Sequence, residues 1–200
     1  MTRRRNILLA IVALGLAVAL GLLWLAPGWV GQGGAPALAE RPVGGDFTLQ
    51  TADGPISLRD LRGKVVLLYF GYTNCPDVCP ASMAAGAQAL TRLSPEERAK
   101  TRLLYVSVDP ERDTPAKLKE YTAYFHPDMI GATGTPEQIA AVTRAYGASF
   151  IKEAPRPDGG YAVDHSAQTY VIDPDGRLAG EIEYGANAAK VVDTVRKFLP

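Results

Sequence analysis

The chain has 200 residues, with 21 Lys and Arg balanced by 21 Asp and Glu and the basic residues scattered, so its charge gives no electrostatic case for binding nucleic acid. Two cysteines are too few for a disulfide-stapled scaffold, and they point to chemistry rather than to cross-linking. The chain contains no internal repeat and no phosphate-cradling glycine loop.

The opening MTRRRN is followed by Ile7 to Ala26, roughly twenty residues without a charge, which suffices for a helix to cross a hydrocarbon core. Arg3, Arg4 and Arg5 precede it, and no Lys or Arg follows until Arg41. The positive-inside rule therefore predicts a single-pass anchor over residues 1–28 in a bacterial-type inner (plasma) membrane, with the rest on the periplasmic, extracytoplasmic side. A cleaved signal peptide is the competing reading. Ala37-Leu38-Ala39 has the small-residue pattern of a cleavage site, but the apolar run is longer than the usual signal core and the site lies about a dozen residues beyond it. Residues 29–42, rich in Gly, Ala and Pro, are expected to be a linker, and residues 43–200 one domain of ordinary size.

Within that domain, Phe47 to Gln50 and Ile56 to Leu58 flank TADGP and predict a small hairpin. Val65 onward, VVLLYFG, is an apolar, β-branched and aromatic run that reads as a strand buried on both faces. The turn YTNCPDVCP follows, and then SMAAGAQALTRL, a helix whose start Pro80 places near Val78 or Cys79. LSPEER reads as a polar connection and RLLYVSV, Arg102 to Val108, as a second buried strand parallel to the first. Asp113-Thr114-Pro115 opens a helix to about Phe125, Met129 to Ala132 is a short strand, and Thr135-Pro136 starts a helix through Tyr146. Ser149 to Glu153 with Tyr161 to Val163, and Tyr170 to Asp173 with Leu178 to Glu183, are two further hairpins before a closing helix over Val191 to Leu199. The order is βαβ, a helix, then ββα, an α/β sandwich. In it the strand beginning near Gln168 runs antiparallel to the central strand, which brings Asp164-His165-Ser166 beside Cys75 and Cys79, where the strand at Val108 also delivers Asp109.

Cys79 at a helix N-terminus and Cys75 in the loop before it are expected to have lowered pKa values and to act as nucleophiles or metal ligands. With His165, oriented by Asp164, they form a soft set of two thiolates and one imidazole, which suits Cu(I) and leaves structural zinc one ligand short. Met83 stands one turn beyond Cys79 as a soft axial candidate, although core packing explains it as well. His126, before Pro127, has the simpler role of a helix end. Thr73, two residues before Cys75, leaves a thiol peroxidase open. No His or Glu stands in an HExxH arrangement for zinc hydrolysis.

YTNCPDVCP, SVDPERDTP, FHPDMIGATG and DHSAQTYVIDPDG, in this order from about Asp46 to the C-terminus, resemble the Sco/SenC family of membrane-anchored copper proteins of cytochrome oxidase assembly. The resemblance implies a thioredoxin-like central mixed sheet flanked by helices and a copper site of Cys75, Cys79 and His165, holding Cu(I), with Cu(II) as a second state. It places Asp109, Asp113 and Asp164 near the site without making them ligands. It also implies a metallochaperone whose partner is the copper-site subunit of cytochrome c oxidase, with other periplasmic copper carriers as further partners. The alternative is a thiol-disulfide reductase, with Cys75 and Cys79 as its redox pair, that keeps the acceptor's cysteines reduced. Three residues between the cysteines instead of two, and no Pro before the strand at Tyr170, depart from the general thioredoxin pattern; both weigh against generic disulfide exchange and leave room for His165 and a metal.

Overall fold

The structure, a computed structural model, describes residues 14–18, 42–157 and 159–200. The chain divides into two units, Met1–Glu40 and Arg41–Pro200. In the second, a hairpin of β1 (Thr48–Thr51) and β2 (Gly54–Ser57) leads through a 3₁₀ turn, Leu58–Leu61, to β3 (Val65–Gly71). Helices α1 (Val78–Arg92) and α2 (Pro95–Ala99) lead to β4 (Thr101–Ser107), α3 (Pro115–Phe125), β5 (Met129–Ala132) and α4 (Pro136–Ala145). The ribbon β6 (Phe150–Lys152) and β7 (Val163–His165) follows, then β8 (Thr169–Ile172), β9 (Leu178–Ile182) and α5 (Ala188–Phe198).

The main sheet has the order β5-β4-β3-β8-β9, with β3, β4 and β5 parallel and β8 antiparallel to β3. This is the thioredoxin-like mixed sheet expected from the sequence. Every residue of β3 is buried, as a strand covered by helices on both faces requires. Each large apolar side chain so placed contributes about 1.5–3 kcal/mol of burial, so this strand anchors the loop that follows it. Leu68 pairs with Leu104 on one side and Tyr170 on the other. The carboxyl ends of β3 and β4 and the start of β8 therefore meet at one edge.

Two element readings change. LSPEER is not a plain connection: Ser94 accepts from the Glu97 N–H and Glu97 accepts from the Ser94 N–H, a capping box that holds α2. The second hairpin pairs Phe150 with His165 and Lys152 with Val163, so His165 ends a strand rather than sitting in a loop.

The N-terminal expectation is corrected. Residues 14–18 are helical and exposed. Among the described residues no helix is long and apolar enough to cross a membrane. The transmembrane helix over residues 1–28, and the single-pass inner-membrane localisation resting on it, are therefore overturned. An apolar run is necessary for a span, and a span also needs a helix of about twenty residues to satisfy its own backbone; the described residues contain none. The rest of that segment and the expected linker up to Arg41 lie outside the described residues.

Candidate metal centre

The chain leaves β3 at Gly71 and turns at Tyr72, whose carbonyl accepts from the Cys75 N–H at 3.2 Å. The turn ends where α1 begins at Val78, as Pro80 dictates from the first helical turn. Cys79 thus enters the core at the helix start and is fully buried, while Cys75 lies in the loop above it. His165 comes from the far end of the sequence on β7. Its Nε2 lies 3.3 Å from the Cys79 sulfur, and the ligand atoms of Cys75, Cys79 and His165 all lie within 4.8 Å of one another. Among the described residues this is the one group of three or more Cys, His, Asp or Glu side chains arranged to hold a metal ion.

The imidazole is presented in the right form. Its Nδ1 lies 3.0 Å from the Ser166 carbonyl, which can only accept, so Nδ1 carries the hydrogen and Nε2 keeps its lone pair toward the cysteines. That carbonyl, rather than Asp164, orients the ring; the Asp164 side chain is exposed. Tyr69 and Tyr72 complete the cage, each edge-on to His165 with ring centroids 6.1 and 5.8 Å away. Tyr72, Cys75, Pro76, Asp77, Asp164 and His165 line an open cavity of about 410 Å³, to which Cys75 and His165 contribute while Cys79 lies buried behind them.

The expected lowering of the Cys pKa is reversed at Cys79. Burial pushes this thiol up to about 12, with the neighbouring Cys75 adding to the rise, and a backbone hydrogen bond at Tyr72 offsets it only in part. A helix terminus favours a thiolate only within reach of its free amides, and here desolvation is the larger effect. The buried sulfur stays protonated at neutral pH until a cation takes the proton's place. The buried hydroxyls of Tyr69 and Tyr105 face this sulfur. Gly71 has no side chain for a steric reason: a Cβ there would sit 2.7 Å from both the Cys79 sulfur and the Tyr105 hydroxyl.

The other candidates sort themselves by contact. Asp113, buried, accepts from the Thr73 N–H at 2.8 Å, the Ser107 hydroxyl at 2.7 Å, the Thr73 hydroxyl and Lys117 at 3.1 Å. The Thr73 hydroxyl is thereby turned to Asp113, which removes the support for a peroxidase arrangement around Cys75. Asp109 accepts from the Tyr161 hydroxyl at 2.7 Å and pairs with Arg112. Neither aspartate joins the three-residue group, and Met83 is buried in the core. His126 serves the end of α3: its N–H bonds to the Thr122 carbonyl and its Nδ1 accepts from the Asp128 N–H. Sequence reasoning missed Tyr72, Arg112 and Tyr161. The signal for Arg112 was present in SVDPERDTP, a charged residue between two aspartates just past a buried strand.

Residues 35–200 match the SCO1/SenC family. The chain belongs to this family. It is 39% identical over 166 residues to bovine (Bos taurus) Protein SCO2 homolog, mitochondrial, a match covering 82% of this chain and 62% of that protein, so it spans less than two thirds of that relative. It is 41% identical over 162 residues to Protein SenC of Rhodobacter capsulatus, covering 80% of this chain and 72% of SenC. Among solved structures it resembles that of Bradyrhizobium japonicum ScoI with copper bound, at 36% identity and a TM-score of 0.72, covering 78% of this chain and 99% of that one.

Proposed function

We propose that this SCO1/SenC protein carries copper, held by Cys75, Cys79 and His165, and hands it to the copper-site subunit of cytochrome c oxidase. The observation that carries this reading is the convergence of two thiols and one imidazole within 4.8 Å, with Cys75 and His165 lining an open cavity. Two soft sulfurs and one nitrogen suit Cu(I), and three donors without a fourth leave a coordination position through which a ligand of the acceptor can enter. The likeness to ScoI with copper bound supports the choice of metal. The ion is cargo, so the set must bind it firmly yet exchange ligands one at a time.

A reductase acting through Cys75 and Cys79 is the second reading, favoured by both cysteines being free thiols close together. The two readings part at His165. Exchange needs an attacking and a leaving sulfur only, whereas copper transfer needs the nitrogen donor as well. The reduced protein should bind one copper per chain with mixed sulfur and nitrogen ligation by X-ray absorption. Cys75→Ser or Cys79→Ser should abolish tight Cu(I) binding. His165→Ala should cripple copper transfer to a copper-free acceptor domain while leaving reduction of the acceptor's disulfide within a few-fold. Sulfur-only ligation, or normal transfer by His165→Ala, would refute the copper-carrier reading.

A further inference from the structure

His165 rides on a two-stranded ribbon, β6 and β7, that shares no ladder with the main sheet. The imidazole's position relative to the cysteines therefore depends on how the ribbon is tied to the body. Val163 is buried and its backbone is hydrogen-bonded to the Tyr72 hydroxyl, and beside these ties a cluster of charged and polar contacts centres on Arg112, between β4 and α3. The guanidinium lies over the Tyr161 ring, 3.5 Å from its centroid, and Nη1 donates to the Tyr161 carbonyl at 2.9 Å. Nε pairs with Asp109, which in turn accepts from the Tyr161 hydroxyl at 2.7 Å. Tyr161 is thus gripped at its ring, its carbonyl and its hydroxyl, four residues before His165. The same guanidinium lies 5.6 Å from the centroid of Tyr72, three residues before Cys75, and Tyr72 is edge-on to His165. A second cation, Lys152 of β6, covers Tyr161 at 4.0 Å and is paired with Glu111 at 2.6 Å.

We propose that Arg112, clasped on Tyr161, is a positioning residue that holds the His165 ribbon against the cysteine loop, so that the nitrogen ligand is presented while the clasp is closed and withdrawn when it opens. This rests on the copper-site reading above. Arg112 suits the task because one planar fork can pair with a carboxylate, donate to a carbonyl and face two aromatic rings at once, which a Lys ammonium cannot. Opening the clasp moves one donor of three and leaves both sulfurs in place, a division of labour that suits an ion to be passed on by stepwise ligand exchange.

The test has two parts. In the copper-free protein, backbone hydrogen exchange in β6 and β7 should speed up roughly tenfold or more in Arg112→Gln, and less in Tyr161→Phe, while β3 and β4 exchange as in wild type. Equal acceleration in all four strands would overturn the proposal, since it would mean a general loss of stability. In the copper-loaded protein, Cu(I) affinity measured against a competing chelator should fall in Arg112→Gln, and Arg112→Gln with His165→Ala should bind no more weakly than His165→Ala alone. Additive losses would show that Arg112 does not act through the imidazole, and would also overturn it. If His165→Ala alone leaves affinity unchanged, the copper-site reading fails instead, and the exchange measurement on metal-free protein still judges the clasp. Tyr161→Phe removes one hydroxyl and serves both measurements if Arg112→Gln does not fold.

Discussion

Replacing Asp113 with Ala tests whether the cysteine loop is held from below by a buried carboxylate. The Asp113 side chain is 1% exposed, and it accepts from the Thr73 N–H and the Ser107 hydroxyl at 2.8 and 2.7 Å. Alanine takes away both acceptors and offers nothing in return. An interior donor left without a partner costs about 1–3 kcal/mol. The ion pair with Lys117 adds little, because the lysine side chain is 41% exposed and such pairs are worth up to about 1 kcal/mol before solvent screening is counted. Two such donors, of which the Thr73 N–H is only part-buried, give an expected loss of about 2–6 kcal/mol, a large share of the stability of a domain this size. Urea unfolding of the metal-free protein, followed by circular dichroism, should show the midpoint falling at constant m-value. Thr73 lies two residues before Cys75, so Cu(I) affinity should fall as well. Combining Asp113→Ala with Thr73→Ala should give less than the sum of the two single losses, since they remove the same contact. A loss under about 1 kcal/mol at unchanged m would refute the idea that this carboxylate satisfies buried donors.

Two further outcomes follow from the packing around Cys79. Gly71→Ala should destabilise by about 1–2 kcal/mol: overpacking against the Cys79 sulfur and Tyr105 costs about 1–3, while the stiffer unfolded chain returns about 0.4–1. An unchanged denaturation midpoint would argue against that contact. In the metal-free protein, burial holds the Cys79 thiol up to about 12, above its ordinary value of 9.0. The folded state therefore keeps this proton longer than the unfolded chain does, so the contribution of this group to stability is intact at neutral pH and declines as pH rises from about 9 toward 12. Mass spectrometry of iodoacetamide adducts at pH 8 should show Cys75 modified well before Cys79; equal rates would count against this burial effect.

The sheet was readable because each strand declares itself in composition. VVLLYFG has no polar interruption and RLLYVSV nearly none, and two such runs joined by a helix have one favoured handedness, so their parallel pairing followed. The antiparallel return at Tyr170 then places His165 near the cysteines, and the 3.3 Å separation bears that placement out. The polarity of the Cys79 environment was not readable in the same way. A helix N-terminus is a local feature, whereas the depth of a sulfur depends on what packs over it. Tyr105 and His165 come from β4 and β7, far along the chain, and together with Gly71 they close the space around Cys79. Local chemistry predicted a lowered pKa, and tertiary burial reversed it.

Arg112 shows the other limit. Between Asp109 and Asp113 it reads as one half of an ordinary i,i+3 ion pair at the entry to α3, worth little by itself. What makes it different is Tyr161, forty-nine residues later in a loop whose sequence, RPDGGY, signals a turn and no more. A guanidinium has five N–H donors and two faces, so a single local partner leaves most of its bonding capacity unassigned. In this fold that remaining capacity is directed at the segment that leads to His165. The cysteines are held by the buried strand before them and by the helix after them, elements that are costly to move. The histidine is held on a ribbon of two three-residue strands, by buried Val163 and a few polar contacts, which is less to undo than a fully buried strand. On the copper-carrier proposal, the donor expected to leave first is therefore the nitrogen.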